Sequence, residues 1–247
     1  LRGGRGVTRG QSHVVGVAIL LAVTVVSLGG LTATVADTVD AGTDHVAERQ
    51  AATQLADAVR PRRVTGTHTG RLAVGSGRIE TVPRTVRLLN DSGTVRQIAV
   101  DALVYRTDDT RVATVAGAVV RGRPGAATVV RRPSLRRAAD TLVVGVAALG
   151  DREDRATASV GVGGHAPVRS QIPFRTNVSH HATRYPTDTW RVAIETATPD
   201  VVAASLNTAG DTAQRDFDDD GVPSVVVHVT DRRVVFVVHA LRLEVVS

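Results

Sequence analysis

An uncharged stretch near the start of the chain limits its fold more than any other feature. It runs from Val14 to Ala36 and reads VVGVAILLAVTVVSLGGLTATVA. About 23 residues in a helix span about 35 Å, which is enough to cross the hydrocarbon core of a bilayer. A buried core helix of a soluble protein is the alternative. Because the stretch is continuous and flanked by charges, we expect it to cross a membrane.

The charges on either side of the apolar stretch predict its orientation. Basic residues precede it and acidic residues follow it: Arg2, Arg5, Arg9, Asp37, Asp40 and Asp44. Positive residues stay on the cytoplasmic side of a membrane. We therefore predict a cell-membrane protein whose N-terminus is cytoplasmic and whose residues after the apolar stretch lie outside the cell.

Three kinds of membrane segment fit this stretch. A cleaved secretory signal ends in small residues, and Thr34-Val35-Ala36 has that character. A plain signal anchor keeps the whole segment. In a prepilin-type segment, cleavage occurs before the apolar run, and the junction between Gly10 and Gln11 is placed for it.

The opening RGQSHVVGVAILLAVTVVSLGGLTATV resembles the N-terminal segment of haloarchaeal type IV pilin-like proteins. The resemblance implies a prepilin peptidase that cleaves between Gly10 and Gln11 and leaves the hydrophobic segment on the mature protein. Cleavage there removes the three arginines of the leader and lowers the formal charge from +6 to +3.

Two positions depart from the family pattern. His13 stands where related openings often have an acidic residue, and Val15 stands where bacterial pilins carry a glutamate. A charged pair that sets the register of neighbouring subunits is therefore not expected. The stretch from Leu103 to Gly150 is similar to a recurrent middle section of the same pilin-like proteins.

The residues after the apolar stretch predict an amphipathic continuation of the helix. Val39, Val46, Leu55 and Val59 recur among polar and alanine positions, and Pro61 is a natural stop. We predict a basic leader over 1–10, a transmembrane and stalk helix over 11–61, and an extracytoplasmic head over 62–247.

The head is expected to be rich in β-structure. Aromatic residues make up only 2% of the chain, so valine must supply much of the core, and valine favours strands. The predicted fold class is α+β: a long N-terminal hydrophobic helix followed by a mainly antiparallel, sandwich-like β head. Asn90-Asp91-Ser92-Gly93 predicts a turn, Asp231-Arg232-Arg233 predicts a closing hairpin, and Thr198-Pro199-Asp200 predicts the start of a short helix.

Short valine- and threonine-rich runs between turn signals predict the strands of the head. The predicted strands are 71–74, 85–89, 94–105, 112–121, 127–131, 141–148, 156–162, 172–180, 189–196, 224–230 and 234–246.

One acidic loop has the pattern of a calcium site. Asp216, Asp218 and Asp220 alternate ahead of Gly221, as in the first half of a calcium-binding loop. The twelfth position, which needs a glutamate, is Val227. Calcium binding and a solvated acidic loop both fit, and calcium is the only cofactor that the sequence indicates.

Other motifs favour association over catalysis. The chain has no cysteine and no G-x-S-x-G motif, and His180 and His181 would point to opposite faces of a strand. The arginines are spread along the chain with few aromatics, which argues against nucleic acid as a partner. Asn90 and Asn177 each begin an N-glycosylation pattern.

Together these features predict a non-enzymatic, pilin-like surface subunit. Its expected partners are the membrane, like or related pilin subunits, and a prepilin peptidase. It would use its head for lateral contacts or adhesion. The alternatives are an anchored binding protein that never polymerises and a secreted β protein released near Ala36.

Overall fold

Strands dominate the part of the chain that the structure describes. The computed structural model describes residues 49–57, 59, 65–74, 78–107, 111–149, 160–161 and 170–245. These residues all belong to one compact unit, Ala47–Ser247. The predicted leader, the apolar stretch and the rest of the predicted helix up to residue 48 lie outside the described residues.

The predicted α+β class is wrong. The structure is 65% strand and 11% helix, and the long apolar helix is not seen among the described residues. Helix α1 is described over 49–57, and helix α2 is Pro199–Leu206. The abundance of β-branched residues accounts for the strands, because their side chains pack well on a pleated sheet.

Eight strands, numbered along the chain over both sheets, form the first sheet, which we call sheet A. They are β1 (Gly66–Val74), β3 (Thr85–Asn90), β4 (Gly93–Ala99), β9 (Ser134–Ala138), β10 (Thr141–Leu149), β12 (Ser170–Glu195), β13 (Asp211–Arg215) and β14 (Ser224–Val245). Their order is β4-β3-β12-β14-β10-β9, with β1 also on β12 and β13 also on β14. Every pair is antiparallel except β10 with β14, which is parallel.

Six shorter strands form sheet B. They are β2 (Arg78–Val82), β5 (Ala102–Arg106), β6 (Arg111–Val115), β7 (Ala118–Arg121), β8 (Thr128–Arg131) and β11 (Val160–Gly161). The order is β11-β2-β5-β6-β7-β8, and every pair is antiparallel.

The two sheets share one hydrophobic core. Alternate residues of each strand point inward, so Val104 and Val120 of sheet B meet Leu142 and Val192 of sheet A in one buried cluster. Most of its members are valine and alanine, and Trp190 and Phe236 are the aromatic residues fully inside it. Small β-branched side chains thus fill the interior, as the low aromatic content predicts.

Helix α1 belongs to a second buried cluster. Leu55 of the helix is fully buried there, together with Leu103 and Tyr105, which point away from the shared core. Leu149 and Leu241 bring β10 and β14 of sheet A into the same cluster. The part of the amphipathic pattern that the structure describes thus forms a helix, which buries its apolar side against strands.

Two local predictions are confirmed. Asn90 and Gly93 pair across a tight turn that joins β3 and β4, and Gly93 has the positive φ that such a turn needs. Helix α2 begins at Pro199, as the sequence indicates, although the side chain of Thr198 makes no capping hydrogen bond.

The predicted closing hairpin at residues 231–233 is wrong, because β14 runs through these residues without turning back. β14 pairs with β12 both before and after these residues, and the register of the pairing shifts between Tyr185 and Trp190. Asp231 has a φ of 53°, so the polar residues form an irregularity within a long strand. The same pairing joins 172–180 and 189–196, predicted as two strands, into β12.

Two other predicted strands are each divided. The run 94–105 breaks at Asp101, whose φ is 36°, and its halves enter different sheets as β4 and β5. The run 112–121 turns back at Ala116 and Gly117, which both have positive φ, and becomes the hairpin of β6 and β7. Strands β2, β9 and β13 were not predicted, because many of their residues are charged or polar.

Candidate functional site

The predicted calcium residues mainly stabilise their own loop. The carboxylate of Asp216 accepts hydrogen bonds from the backbone N–H groups of Asp218, Asp219 and Gly221, at 3.2, 3.0 and 2.9 Å. Asp220 accepts one from the N–H of Val222 at 2.9 Å. Within the described residues, no group of three or more metal-ligating side chains comes together. Calcium binding by this loop stays a prediction.

The remaining predicted ligand, Asp218, pairs with a buried arginine. Its Oδ2 lies 2.5 Å from Nη2 of Arg87, whose side chain is 4% exposed. Arg87 lies on β3, and its guanidinium is 5.1 Å from the ring centre of Phe217 and 3.9 Å from Glu195. The loop therefore packs over the outer face of sheet A, where Asp218 pairs with the positive charge of Arg87.

Glu195 lies at the end of β12 and connects this charge cluster to a second arginine. Its Oε1 is 3.5 Å from Nη1 of Arg84. Burial raises the pKa of the Glu195 carboxyl, and the nearby carboxylates of Asp218 and Asp220 act in the same direction. Arg84 and Arg87 oppose that shift and favour the ionised form.

Three arginines, Arg84 among them, line one cavity. Its volume is about 220 Å³, and Arg84, Arg106 and Arg111 contribute to its wall. Thr196 and Thr198, from the segment that joins β12 to α2, line it as well. A neighbouring space of about 340 Å³ continues past Thr198 to the start of α2.

Strand pairing concentrates positive charge beside this cavity. Arg106 lies directly opposite both Arg78 on β2 and Arg111 on β6, so one row across three strands is arginine. Like charges at directly opposed positions destabilise a sheet. Glu80 offsets part of this charge, since its Oε1 is 3.0 Å from Nε of Arg106.

Arg111 is the least satisfied of these arginines. Its Nη1 is buried and has no hydrogen-bond acceptor in the part of the chain that the structure describes. Burial lowers the pKa of Arg111, and the charges of Arg106 and Arg84 lower it further, while Glu80 raises it. The guanidinium remains charged, so the cavity holds a cation with unused donor capacity.

Gly122 shapes the wall next to Arg111. Its φ is +105°, its N–H donates to the carbonyl of Arg111 at 2.7 Å, and a Cβ there would lie 2.5 Å from the carbonyl oxygen of Ala126. Only glycine fits this close approach.

A histidine pair lies elsewhere on sheet A. His180 of β12 and His239 of β14 are cross-strand partners, and their Nδ1 atoms are 2.9 Å apart. Burial lowers the pKa of His239, and the nearby His180 lowers it further. His181 pairs with Val238 instead, as the alternation of side chains along a strand requires.

The two glycosylation candidates differ in their surroundings. Asn90 is partly buried; its Nδ2 donates to Asp188 at 3.2 Å, and its Oδ1 accepts from Ser92. Asn177 is exposed on β12. The processing site at Gly10 and Gln11 lies outside the described residues.

Comparison with known proteins places almost the whole chain in one family. The sequence profile of a family of unknown function (DUF7289) matches residues 9–244. The chain belongs to this family. No curated protein and no solved structure matches the chain.

The match to the DUF7289 family covers both the apolar stretch at 14–36 and the β-rich region. Within the described residues, no helix has the length and hydropathy that a membrane crossing needs.

Sequence reasoning missed the arginine-lined cavity of this DUF7289 protein. Arg106 and Arg111 stand five residues apart with polar residues between them in the sequence, which is the one local signal that a hairpin would bring them together. Arg84 comes from the segment that joins β2 to β3, and no pattern in the sequence joins it to them.

Proposed function

We propose that this protein is a pilin-like surface subunit, anchored in the cell membrane by its apolar N-terminal segment. The β-rich head lies outside the cell and works by association with like or related subunits. The charged groups of the head support association over turnover. Asp216, Asp218 and Glu195 are held by backbone donors or arginines, which suits a structural role.

The observation that carries this proposal is the way α1 is held on the head. Leu55 and Val59 are almost completely buried against strands of both sheets. Arg131 of β8 donates to the carbonyl oxygens of Ala56 and Val59, and so satisfies acceptors at the end of the helix. The chain that follows the apolar segment is thus joined firmly to the head, as a subunit that transmits force from anchor to head requires.

The extent of the family match also supports the proposal. The profile covers the apolar stretch and the head as one unit, from residue 9 to residue 244. An anchor that stays with its head is consistent with this pattern, whereas a signal removed near Ala36 would separate the two.

The N-terminal residue of the protein isolated from membranes of its native cells tests this proposal. We expect Gln11, because prepilin cleavage would follow Gly10. A start near Asp37 would contradict the proposal and favour a secreted protein. An intact leader in the membrane fraction would favour a plain anchor.

A pair of glycine variants makes the test specific to the junction. We expect Gly10→Phe to block cleavage, and intact mass would then show the basic leader retained. Gly6→Phe changes a glycine of the same leader away from the junction and should be processed normally. Equal processing of both variants would contradict prepilin cleavage.

Electron microscopy of the cell surface tests assembly. We expect filaments that carry this protein when it is labelled at the exposed loop around Asp91. An anchored protein without filaments would favour the alternative of a binding protein that does not polymerise.

A further inference from the structure

The cavity lined by Arg84, Arg106 and Arg111 has the chemistry of an anion site. We propose that it binds the carboxylate of a small hydroxylated organic acid, with Arg111 as the principal contact. This inference goes beyond the proposed function and does not depend on membrane anchoring or assembly.

The balance of charge around the cavity favours an anionic ligand. Arg84, Arg106 and Arg111 line the cavity, and Arg78 lies opposite Arg106 on the neighbouring strand. Among the described residues, the acidic groups that pair with these arginines are Glu80 and Glu195. Glu195 also neutralises part of the charge of Arg87. One negative charge on a ligand would therefore offset a local excess of positive charge.

The donor geometry favours a carboxylate. The guanidinium of Arg111 presents a planar fork of N–H groups, which matches a carboxylate through two parallel hydrogen bonds. Its buried Nη1 has no acceptor among the described residues, and leaving a buried donor unsatisfied costs free energy. A bound carboxylate would supply the missing acceptor and separate the charges of Arg111 and Arg106.

The rest of the wall favours a ligand with hydroxyl groups. Val82, Val104 and Val115 form an apolar surface, while Thr196 and Thr198 add hydroxyl groups. The volume of about 220 Å³ is below the range typical of sites for drug-sized ligands. A small hydroxy acid has apolar C–H groups, hydroxyls and one carboxylate, and so complements each part of this wall.

The chain has one internal competitor for this site. Asp108 and Asp109 directly precede Arg111 in the sequence and lie outside the described residues. A side-chain carboxylate from this turn would satisfy Arg111 in the same way as a ligand. The experiment therefore includes a variant that removes both charges.

Isothermal titration of the full chain in mild detergent, at low ionic strength, tests the proposal with glucuronate as the probe. Glucose is the matched neutral probe, because it has the same ring without the carboxylate. We expect glucuronate to bind, glucose not to bind, and added salt to weaken binding. Arg111→Gln should weaken binding about tenfold or more, and Arg111→Lys should restore only part of it, since lysine keeps the charge and loses the fork.

Arg136→Gln is the matched control, since Arg136 is exposed on β9 at the opposite edge of sheet A. It should bind glucuronate as the unchanged protein does. Circular dichroism of each variant checks that it is folded, and Arg84→Gln tests the same cavity from the segment between β2 and β3.

Four results would overturn the proposal. They are equal binding of glucose and glucuronate, unchanged binding in folded Arg111→Gln and Arg84→Gln, and equal affinity for inorganic sulfate. The fourth is binding seen only when Asp108 and Asp109 are both changed to asparagine, because the chain would then supply the carboxylate itself.

Discussion

Arg87 shows how a charged residue is tolerated inside this protein. Its side chain is almost completely buried, yet it faces two carboxylates and the ring of Phe217. Arg215 lies on the same ring, with its guanidinium 4.8 Å from the ring centre. Burial of a charge is expensive unless it is paired, so this residue depends on a loop far away in the sequence.

Replacing Arg87 should therefore destabilise the protein strongly. We expect Arg87→Leu to lower the free energy of unfolding by about 3–5 kcal/mol, because Glu195 would lose a partner while remaining buried. Urea unfolding followed by circular dichroism measures the change. Arg136→Leu removes an exposed arginine and should change stability by only about 0.5 kcal/mol. Equal effects of the two substitutions would contradict this account.

The residue scale also shows the limit of motif reasoning. The alternating aspartates at 216, 218 and 220 predict a tight loop, and the hydrogen bonds to their carboxylates explain its shape. The pairing of Asp218 with Arg87 depends on a separation of 131 residues in the chain. No local pattern contains that information.

The two longest strands organise the molecule at the scale of elements. β12 and β14 pair along most of their length, and between them they pair with four other strands of sheet A: β1, β3, β10 and β13. Their pairing places Glu195 beside the cavity at one end and the pair of His180 and His239 further along. Continuous pairing overrides the turn-like residues at 231–233, because each hydrogen bond of the ladder would otherwise be lost.

The histidine pair makes stability depend on pH. The usual pKa of histidine is 6.5, and that of His239 is lowered in the folded protein. The unfolded chain therefore binds more protons than the folded one between the lowered value and 6.5. Stability is fully present above pH 6.5 and falls as the pH decreases through this window, by at most about 1.4 kcal/mol per pH unit.

Thermal unfolding at a series of pH values measures this effect. We expect His239→Gln to lose less stability than the unchanged protein when the pH falls from 7.5 to 5.5, about one unit above and one unit below the usual pKa of histidine. His228→Gln is the control, because His228 is exposed on the same strand and should leave the dependence intact. The same dependence in both variants would contradict the assignment to His239.

At the scale of the whole molecule, the two sheets depend on each other. Valines of both sheets fill one buried cluster. The backbone N–H of Leu149 in sheet A also donates to the carbonyl of Val100 at 3.1 Å, and Val100 lies where the chain passes from β4 of sheet A to β5 of sheet B. Neither sheet could keep its inner face buried alone. The described β-structure should therefore unfold as one unit.

Trp190 provides a probe of this cooperativity. It is the single tryptophan, it is 2% exposed, and its Nε1 donates to the carbonyl of Pro186 at 3.1 Å. We expect guanidinium unfolding followed by its fluorescence to have the same midpoint as unfolding followed by far-ultraviolet circular dichroism. Two separate midpoints would show that the sheets unfold independently.

Much of the local structure follows from the sequence, while the fold class does not. The turn at Asn90 and the start of α2 at Pro199 were predicted correctly, because a few neighbouring residues decide such features. The α+β class was wrong because it rested on a long N-terminal helix, which is not seen among the described residues, where strands dominate. The described helix around Leu55 ends at residue 57, and strands bury its apolar side.

The sequence by itself determined a valine-rich, β-rich region, the turn at Asn90 and the presence of an apolar stretch near the start of the chain. Only the tertiary structure decided which of its many arginines became buried or faced one another, and which histidines met. Strand pairing brings together Arg106 and Arg111, the segment between β2 and β3 adds Arg84, and pairing of β12 with β14 joins His180 to His239. The physical reason is range: backbone preferences act over a few residues, whereas strand register is decided by burial across the whole core.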